Sequence, residues 1–149
     1  MQKRWIRTAA TGVACLGAVA VTASPAQAAE PHHWMYTNDS GANGARVDFW
    51  PRGDEVKLCD KQSDGARADL KIWNVTKDPD QVEYDLQASG DEVCATRGEV
   101  LEQPFNLAEG DCFRFRIRLL NNGNEVDGSR DIAQWRNHNN STENCDRVD

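Results

Sequence analysis

The stretch CFRFRIRL, residues 112–119, decides the fold of this chain. Its apolar side chains alternate strictly with three arginines, and the two sets are Phe113, Phe115, Ile117 and Leu119 against Arg114, Arg116 and Arg118. Successive side chains of a β-strand point to opposite faces of the sheet. Residues 112–119 therefore predict a strand with one buried face and one face toward solvent, as antiparallel sheets have.

Shorter runs with the same two-residue period lie on both sides of this strand, at residues 47–49, 56–58, 66–72, 82–86 and 131–135. Turn-forming residues separate the runs, at 51–54, 60–65, 77–80 and 122–123. Little in the chain after residue 28 has a helical period. Six to eight short strands at this spacing predict an all-β fold, an antiparallel β-sandwich in preference to a small barrel.

Residues 1–28 have the layout of a secretory signal peptide. Lys3, Arg4 and Arg7 precede an apolar stretch, and the segment ends in the small residues Ala26-Gln27-Ala28. This order predicts export and cleavage before Ala29. The apolar stretch is too short and too rich in small residues for a membrane span. We therefore expect a secreted, extracellular protein with no membrane contact in its mature form.

The predicted mature chain divides into three parts. Residues 29–44 are polar and rich in turn formers, so we expect a flexible polar lead-in. Residues 45–136 carry the alternating runs and form the predicted β-sandwich domain. Residues 137–149 form a polar C-terminal tail, which we expect to be tethered by Cys145.

Four of the five cysteines remain once Cys15 leaves with the signal peptide. An even number in an exported chain predicts two disulfides that staple the fold. Three pairings are possible. We favour Cys94–Cys112, because it closes a short loop, and Cys59–Cys145, because it ties down the tail.

The charge of the mature chain is more acidic than the whole sequence suggests. Three of the 17 Lys and Arg residues leave with the signal peptide while all 24 Asp and Glu remain, so the net charge falls from −7 to −10. Such a surface favours solubility and disfavours nucleic acid and anionic membranes as partners.

Motifs for catalysis and for metal binding are missing. The sequence has no GxSxG, HExxH or phosphate loop, and no CxxC pair that would suit zinc. Asp60–Gly65 resembles the start of a calcium loop, but Lys71 occupies the position that needs a bidentate glutamate, so a hairpin turn is the better interpretation. We therefore expect no catalytic residue, no metal and no cofactor.

The arginines of residues 112–119 are candidate binding residues. Arg114, Arg116 and Arg118 form a row at intervals of about 7 Å on one strand face, which suits an anion or a polysaccharide. The alternative is cross-strand pairing with Glu83 and Asp85, which have the same two-residue interval.

Three tryptophans are further candidates: Trp50, Trp73 and Trp135. Trp73 falls on the solvent side of its run, and Trp50 is out of phase with the apolar residues before it. An exposed indole can stack on a sugar ring or anchor a protein partner, since it combines a large apolar surface with one polar group. The alternative is that these rings cover the rim of the core.

Several short motifs resemble the small secreted disulfide-bearing β proteins of filamentous actinobacteria. They are Val47-Asp48-Phe49-Trp50, Leu58-Cys59-Asp60, Cys94-Ala95-Thr96 and Leu107-Ala108-Glu109-Gly110 before an arginine-bearing strand. The resemblance spans roughly residues 47–119. It implies a secreted β-sandwich and supplies no catalytic or binding residues.

These observations together predict a non-enzymatic extracellular module that binds a protein or a glycan. One alternative is a secreted inhibitor of proteases or other hydrolases, with a braced loop at Asn74–Gln81 or Asp91–Glu102. Others are a small secreted hydrolase that uses acidic residues and a structural component of a surface or matrix. Converging carboxylates would favour the hydrolase, a planar tryptophan array the glycan binder, and a protruding loop the inhibitor.

Overall fold

The computed structural model describes residues 30–39 and 44–145, so the predicted signal peptide, residues 1–28, lies outside the described residues. The described chain is all-β, and its nine strands are β1 His33–Tyr36, β2 Ala45–Trp50, β3 Glu55–Asp60, β4 Arg67–Asn74, β5 Gln81–Ala88, β6 Cys94–Arg97, β7 Cys112–Asn121, β8 Asn124–Glu125 and β9 Asp131–Arg136. The described helical structure is one 3-10 turn, Glu99–Leu101, and it is not long enough to cross a membrane.

The strands form two antiparallel sheets that pack as a sandwich. Sheet A has the order β1-β2-β3-β6, and sheet B has the order β5-β4-β7, with both β8 and β9 paired to β7. The predicted fold class is therefore confirmed. Between β7 and β8, Asn122 and Gly123 have φ angles of 50° and 83°, as the two central residues of a tight hairpin turn require.

Strand β7 holds the centre of sheet B, as its alternation predicts. Phe113, Phe115 and Ile117 are fully buried, and the arginines between them are half-buried on the outer face. β7 pairs with β4 on one side and β9 on the other. The inward residues of β4 and β7 meet those of β2 and β3 in one core, which supplies the main stabilisation of the fold.

The expectation of a flexible lead-in at residues 29–44 is wrong for its middle part. β1 lies there and pairs with β2, with Trp34 opposite Asp48. His33, Met35 and Thr37 are buried on the inner side. Buried and outward residues therefore alternate along β1 as in the other strands. The polar residues around β1 in the sequence made this alternation hard to detect.

The interpretation of Asp60–Gly65 as a hairpin turn is also wrong. β3 belongs to sheet A and β4 to sheet B, so this segment crosses between the sheets. The buried Asp60 carboxylate accepts hydrogen bonds from the backbone N–H groups of Gln62, at 3.2 Å, and Gly90, at 2.9 Å. It thereby holds this crossing to the loop that follows β5.

All four predicted cysteines form disulfides, but the predicted pairing is wrong. The bridges are Cys59–Cys94 and Cys112–Cys145. Cys59 and Cys94 lie directly opposite each other on β3 and β6, with Cα atoms 4.0 Å apart. The tail folds back along β9, where Asn144 forms an isolated antiparallel β-bridge with Trp135 through the backbone. This return brings Cys145 to the start of β7, so the tail is tethered as expected, although to Cys112.

Candidate functional site

The predicted site residues are divided among the two outer faces of the sandwich and its core. Trp50 lies on the outer face of sheet A, and Trp73 lies on the outer face of sheet B beside the arginine row. Trp135 is only 5% exposed, and its ring lies 4.7 Å from Phe115 and 5.1 Å from His33. The prediction that Trp135 binds a ligand is therefore wrong, because its position on β9 points inward.

The outer face of sheet A carries four rings that we call the aromatic face: His32, Trp34, Tyr36 and Trp50. Trp34 and Tyr36 alternate along β1, and their rings meet edge to face at 5.7 Å. His32 stacks on Trp50 at 5.3 Å with nearly parallel planes. Trp34 is 54% exposed, so a large apolar surface faces solvent.

A partly buried ion pair between Arg46 and Asp48 supports the aromatic face. Asp48 accepts hydrogen bonds from the guanidinium of Arg46, with Nε 2.8 and 3.0 Å from the two carboxylate oxygens. Arg46 lies over the rings of Trp34 and Tyr36, at 5.6 and 5.4 Å, and donates to the Tyr36 hydroxyl at 3.1 Å. The hydrogen bonds to Asp48 raise the pKa of Arg46, so this cation stays charged over the two rings.

A shallow cavity of about 330 Å³ lies beside these rings on the same face. Its polar rim contains Asp48, Lys57, Lys61 and Glu92, and Trp50 forms an apolar wall. Asp48 is occupied by Arg46, and Glu92 forms an ion pair with Lys61. The cavity therefore offers one ring for stacking and several groups for hydrogen bonds.

On the outer face of sheet B, Lys71, Trp73, Arg114, Arg116 and Arg118 form a second surface, which we call the basic face. Arg116 lies 4.9 Å from the centre of the Trp73 ring, and Arg114 and Lys71 lie at 5.7 Å. The outward position of Trp73 is as predicted. One indole is therefore surrounded by three cations, each close enough for a cation–π contact.

The predicted pairing of the arginine row with Glu83 and Asp85 is wrong, because β4 lies between β5 and β7. Asp85 instead lies 3.2 Å from Lys71 on β4. The ion pairs of the row are Arg114 with Asp80, and Arg118 with Asp69 and Glu125.

The predicted loop Asp91–Glu102 contains β6, so only its end protrudes. Val100 is 87% exposed and Leu101 is 51% exposed in the 3-10 turn. The Glu99 N–H donates to the Gly53 carbonyl at 2.9 Å, and a cavity of about 270 Å³ lies under the turn. The other predicted loop, Asn74–Gln81, exposes mostly polar residues.

Burial shifts the pKa of several interior side chains, among them Asp54 and His33. Burial raises the pKa of Asp54 to about 6, and its carboxylate accepts from Asn137 Nδ2 at 2.8 Å and the Leu107 N–H at 2.9 Å. Burial, and then repulsion by His32, lowers the pKa of His33 to about 4. Both groups are below the surface and tie structural elements together.

No cluster of three His, Cys, Asp or Glu side chains suited to a metal ion occurs within residues 30–39 and 44–145.

No protein-family model, curated protein or solved structure matches this chain.

Sequence reasoning missed Trp34, Tyr36 and His32 as surface residues. The signal was present in HHWMYT, residues 32–37, where aromatic and buried positions alternate. The acidic and turn-rich residues after Thr37 concealed it.

Proposed function

We propose that this protein is exported and acts outside the cell as a non-enzymatic module that binds a glycan through the aromatic face. The observation that carries the proposal is the cluster of outward rings on sheet A, in which Trp34 is 54% exposed and His32 and Trp50 line a polar cavity. A contiguous group of exposed rings with a polar rim is typical of a binding site.

Export is supported by the basic and apolar layout of residues 1–28. It is also supported by the two disulfides, since such bonds persist in oxidising compartments. The acidic character of residues 29–149 suits a protein that remains dissolved outside the cell.

A glycan is the ligand that best suits the aromatic face. Sugar rings present an apolar C–H surface that packs on indole and phenol rings, together with hydroxyls that need polar partners. Trp34 and Trp50 supply the first kind of contact, and Lys57 on the rim of the cavity supplies the second. Arg46 fixes Trp34 and Tyr36 before any ligand arrives, which reduces the entropy lost on binding.

The hydrolase alternative has weaker support at this surface. Glycosidases commonly need two carboxyl groups of different protonation at one cleft. The carboxylates that border the cavity, Asp48 and Glu92, both form ion pairs with cations of the same face. An ion-paired carboxylate is a poor proton donor.

The test is depletion of the purified, disulfide-bonded protein from solution by insoluble polysaccharides of different backbones. We expect binding to at least one, weakened about tenfold in Trp34→Ala and largely kept in Trp34→Phe, because the ring supplies the contact. Val100→Ala is the control, since Val100 is an apolar residue at another surface and is more exposed than Trp34, 87% against 54%. Equal binding by Trp34→Ala and the parent protein would refute the proposal.

The protruding turn favours a second candidate function, inhibition of an extracellular hydrolase. The 87% exposure of Val100 on a turn braced by Gly53 is the observation behind it. In this case the parent protein inhibits a secreted protease and Val100→Ala does not, while Trp34→Ala inhibits normally. Absence of inhibition across the main protease classes would remove this candidate.

A further inference from the structure

The outer face of sheet B has chemistry different from that of the aromatic face. We propose that the basic face is a second binding site, for the carboxylates of an acidic polysaccharide, and that Arg116 makes the contact. This inference does not depend on the function of the aromatic face, because the two surfaces lie on opposite sides of the sandwich.

Arg116 lies at the middle of the basic face. Its register neighbours are Lys71 on β4 and Ile132 on β9. Arg114 and Arg118 lie two residues away on either side along β7, at about 7 Å each. A ligand that runs along β7 therefore meets Arg116 between two further cations.

The charges around Arg116 are balanced, but its own charge is not. Arg114, Arg118 and Lys71 each form a salt bridge with an aspartate or a glutamate. Arg116 forms no salt bridge or side-chain hydrogen bond within residues 30–39 and 44–145, and its contact there is the cation–π contact with Trp73. A guanidinium with five N–H donors is thus left without an anionic acceptor.

The unpaired state of Arg116 has a cost, and an anion at its terminal nitrogens would offset part of it. The Nε atom of Arg116 is buried and has no hydrogen-bond partner. Burial, followed by repulsion from Arg118 and Arg130, lowers the pKa of Arg116. A carboxylate placed against the guanidinium would accept two parallel hydrogen bonds and offset that repulsion.

The apolar neighbours of Arg116 indicate a sugar acid rather than a small ion. Val82 and Ile132 are about half exposed on this face. Val82 points outward because the pairing of β4 with β5 shifts between Ile72 and Trp73. Ile132 lies directly opposite Arg116, so the apolar C–H surface of one uronic acid ring can pack on Ile132 while its carboxylate contacts Arg116. Val82 lies opposite Trp73 on β5, where a further sugar of the same chain can reach it.

Charge distinguishes this ligand from a duplex or a membrane. The face and its partners hold five cations, Lys71, Arg114, Arg116, Arg118 and Arg130, against the four carboxylates Asp69, Asp80, Asp85 and Glu125. The rest of residues 29–149 holds nine cations against 20 carboxylates. Binding to a nucleic acid or an anionic vesicle requires many Lys and Arg side chains, spread over a wide area, to neutralise the phosphates. A flexible chain with one charge per sugar can contact the basic face alone.

The test is calorimetric titration of the disulfide-bonded protein with an oligomer of galacturonic acid and with its methyl ester. We expect the acid to bind, with an affinity that falls as salt rises, and the ester not to bind. Arg116→Gln should weaken binding about tenfold, since a charge-assisted hydrogen bond is lost. Arg116→Lys should recover only part of it, because lysine lacks the planar fork. Arg52→Gln is the control, since Arg52 is an exposed arginine on the turn after β2.

The proposal fails if the ester binds as tightly as the acid, or if Arg116→Gln binds like the parent protein. Binding to single-stranded DNA or to anionic vesicles with none to the galacturonate oligomer would also overturn it. Circular dichroism of each variant shows whether the fold is intact, and Arg116 is a half-buried outer-face residue whose replacement leaves the core unchanged.

Discussion

Two buried groups should give this protein opposite pH responses that nearly cancel. His33, 6% exposed, packs against the rings of Trp135 and Phe49 in the core, and Asp54, 2% exposed, accepts hydrogen bonds from Leu107 and Asn137. The substitutions that separate the two responses are His33→Phe, which keeps a flat ring in the stack, and Asp54→Asn, which keeps an acceptor for the Leu107 N–H.

The direction of each effect follows from the two pKa shifts. The pKa of His33 falls from 6.5 to about 4 on folding, so its stabilising contribution is complete above 6.5 and is lost as pH falls toward 4. The pKa of Asp54 rises from 3.8 to about 6, so its contribution is complete below 3.8 and is lost as pH rises through 6. Between these limits, acid weakens the fold through His33 and strengthens it through Asp54.

The magnitudes follow from the proton-binding difference between folded and unfolded chains. On going from about pH 7.5 to about pH 5, His33 costs about 2 kcal/mol and Asp54 returns about 1.5 kcal/mol. Because the two effects oppose each other, the parent protein loses only about 0.5 kcal/mol from this pair. His33→Phe should therefore gain about 1.5 kcal/mol over the same interval, and Asp54→Asn should lose about 2 kcal/mol.

Urea unfolding followed by tryptophan fluorescence at the two pH values measures these changes. Other groups titrate over the same interval, but they are common to all three proteins, so the comparison isolates His33 and Asp54. Any packing cost of a substitution is present at both pH values and cancels in the difference. If all three proteins show the same change in unfolding free energy, the assigned protonation states are wrong.

The remaining predictions concern the disulfides and one turn. Cys59→Ala with Cys94→Ala, and Cys112→Ala with Cys145→Ala, should each lower the unfolding free energy by about 4 kcal/mol in chemical denaturation, since the loops have similar separations of 35 and 33 residues. A loss confined to one pair would contradict the loop-entropy argument, and peptide mapping checks the pairing. Gly123→Ala should cost about 1 kcal/mol, because φ is +83° there and nothing lies within 4 Å of the added methyl group. If Gly123→Ala has the same thermal stability as the parent protein, the positive φ angle assigned to Gly123 is wrong.

The sequence predicted the strands well wherever alternation is strict. Residues 112–119 and 131–135 lie in β7 and β9, and the turn at Asn122-Gly123 is as expected. What it could not predict is which strands pair across distance. The alternation in residues 112–119 fixes which side chains are buried, but it does not say that β4 rather than β5 lies beside β7. The wrong acidic partners for the arginines and the wrong disulfide pairing both follow from that gap.

The candidate sites were predicted only in part for the same reason. Arg116 and Trp73 come together because β4 and β7 are neighbours in sheet B. The aromatic face needed β1, whose short alternation was hidden beside turn formers. The sequence alone does not distinguish Trp135 from Trp50. Trp135 is buried because its position on β9 points inward, where its ring packs on that of His33 from the other sheet.

The order of the aromatic face depends on non-covalent contacts alone. Cys59–Cys94 ties β3 to β6, and Cys112–Cys145 ties β7 to the tail, so neither disulfide holds β1. β1 is an edge strand that pairs only with β2 within the described chain, and its inner side is fixed by the stacking of His33 on Trp135. Protonation of His33 would place a charge inside that stack, which would weaken the hold on the strand that carries Trp34 and Tyr36. The same interior histidine that sets the acid sensitivity of the fold therefore also supports the surface that we propose binds a glycan.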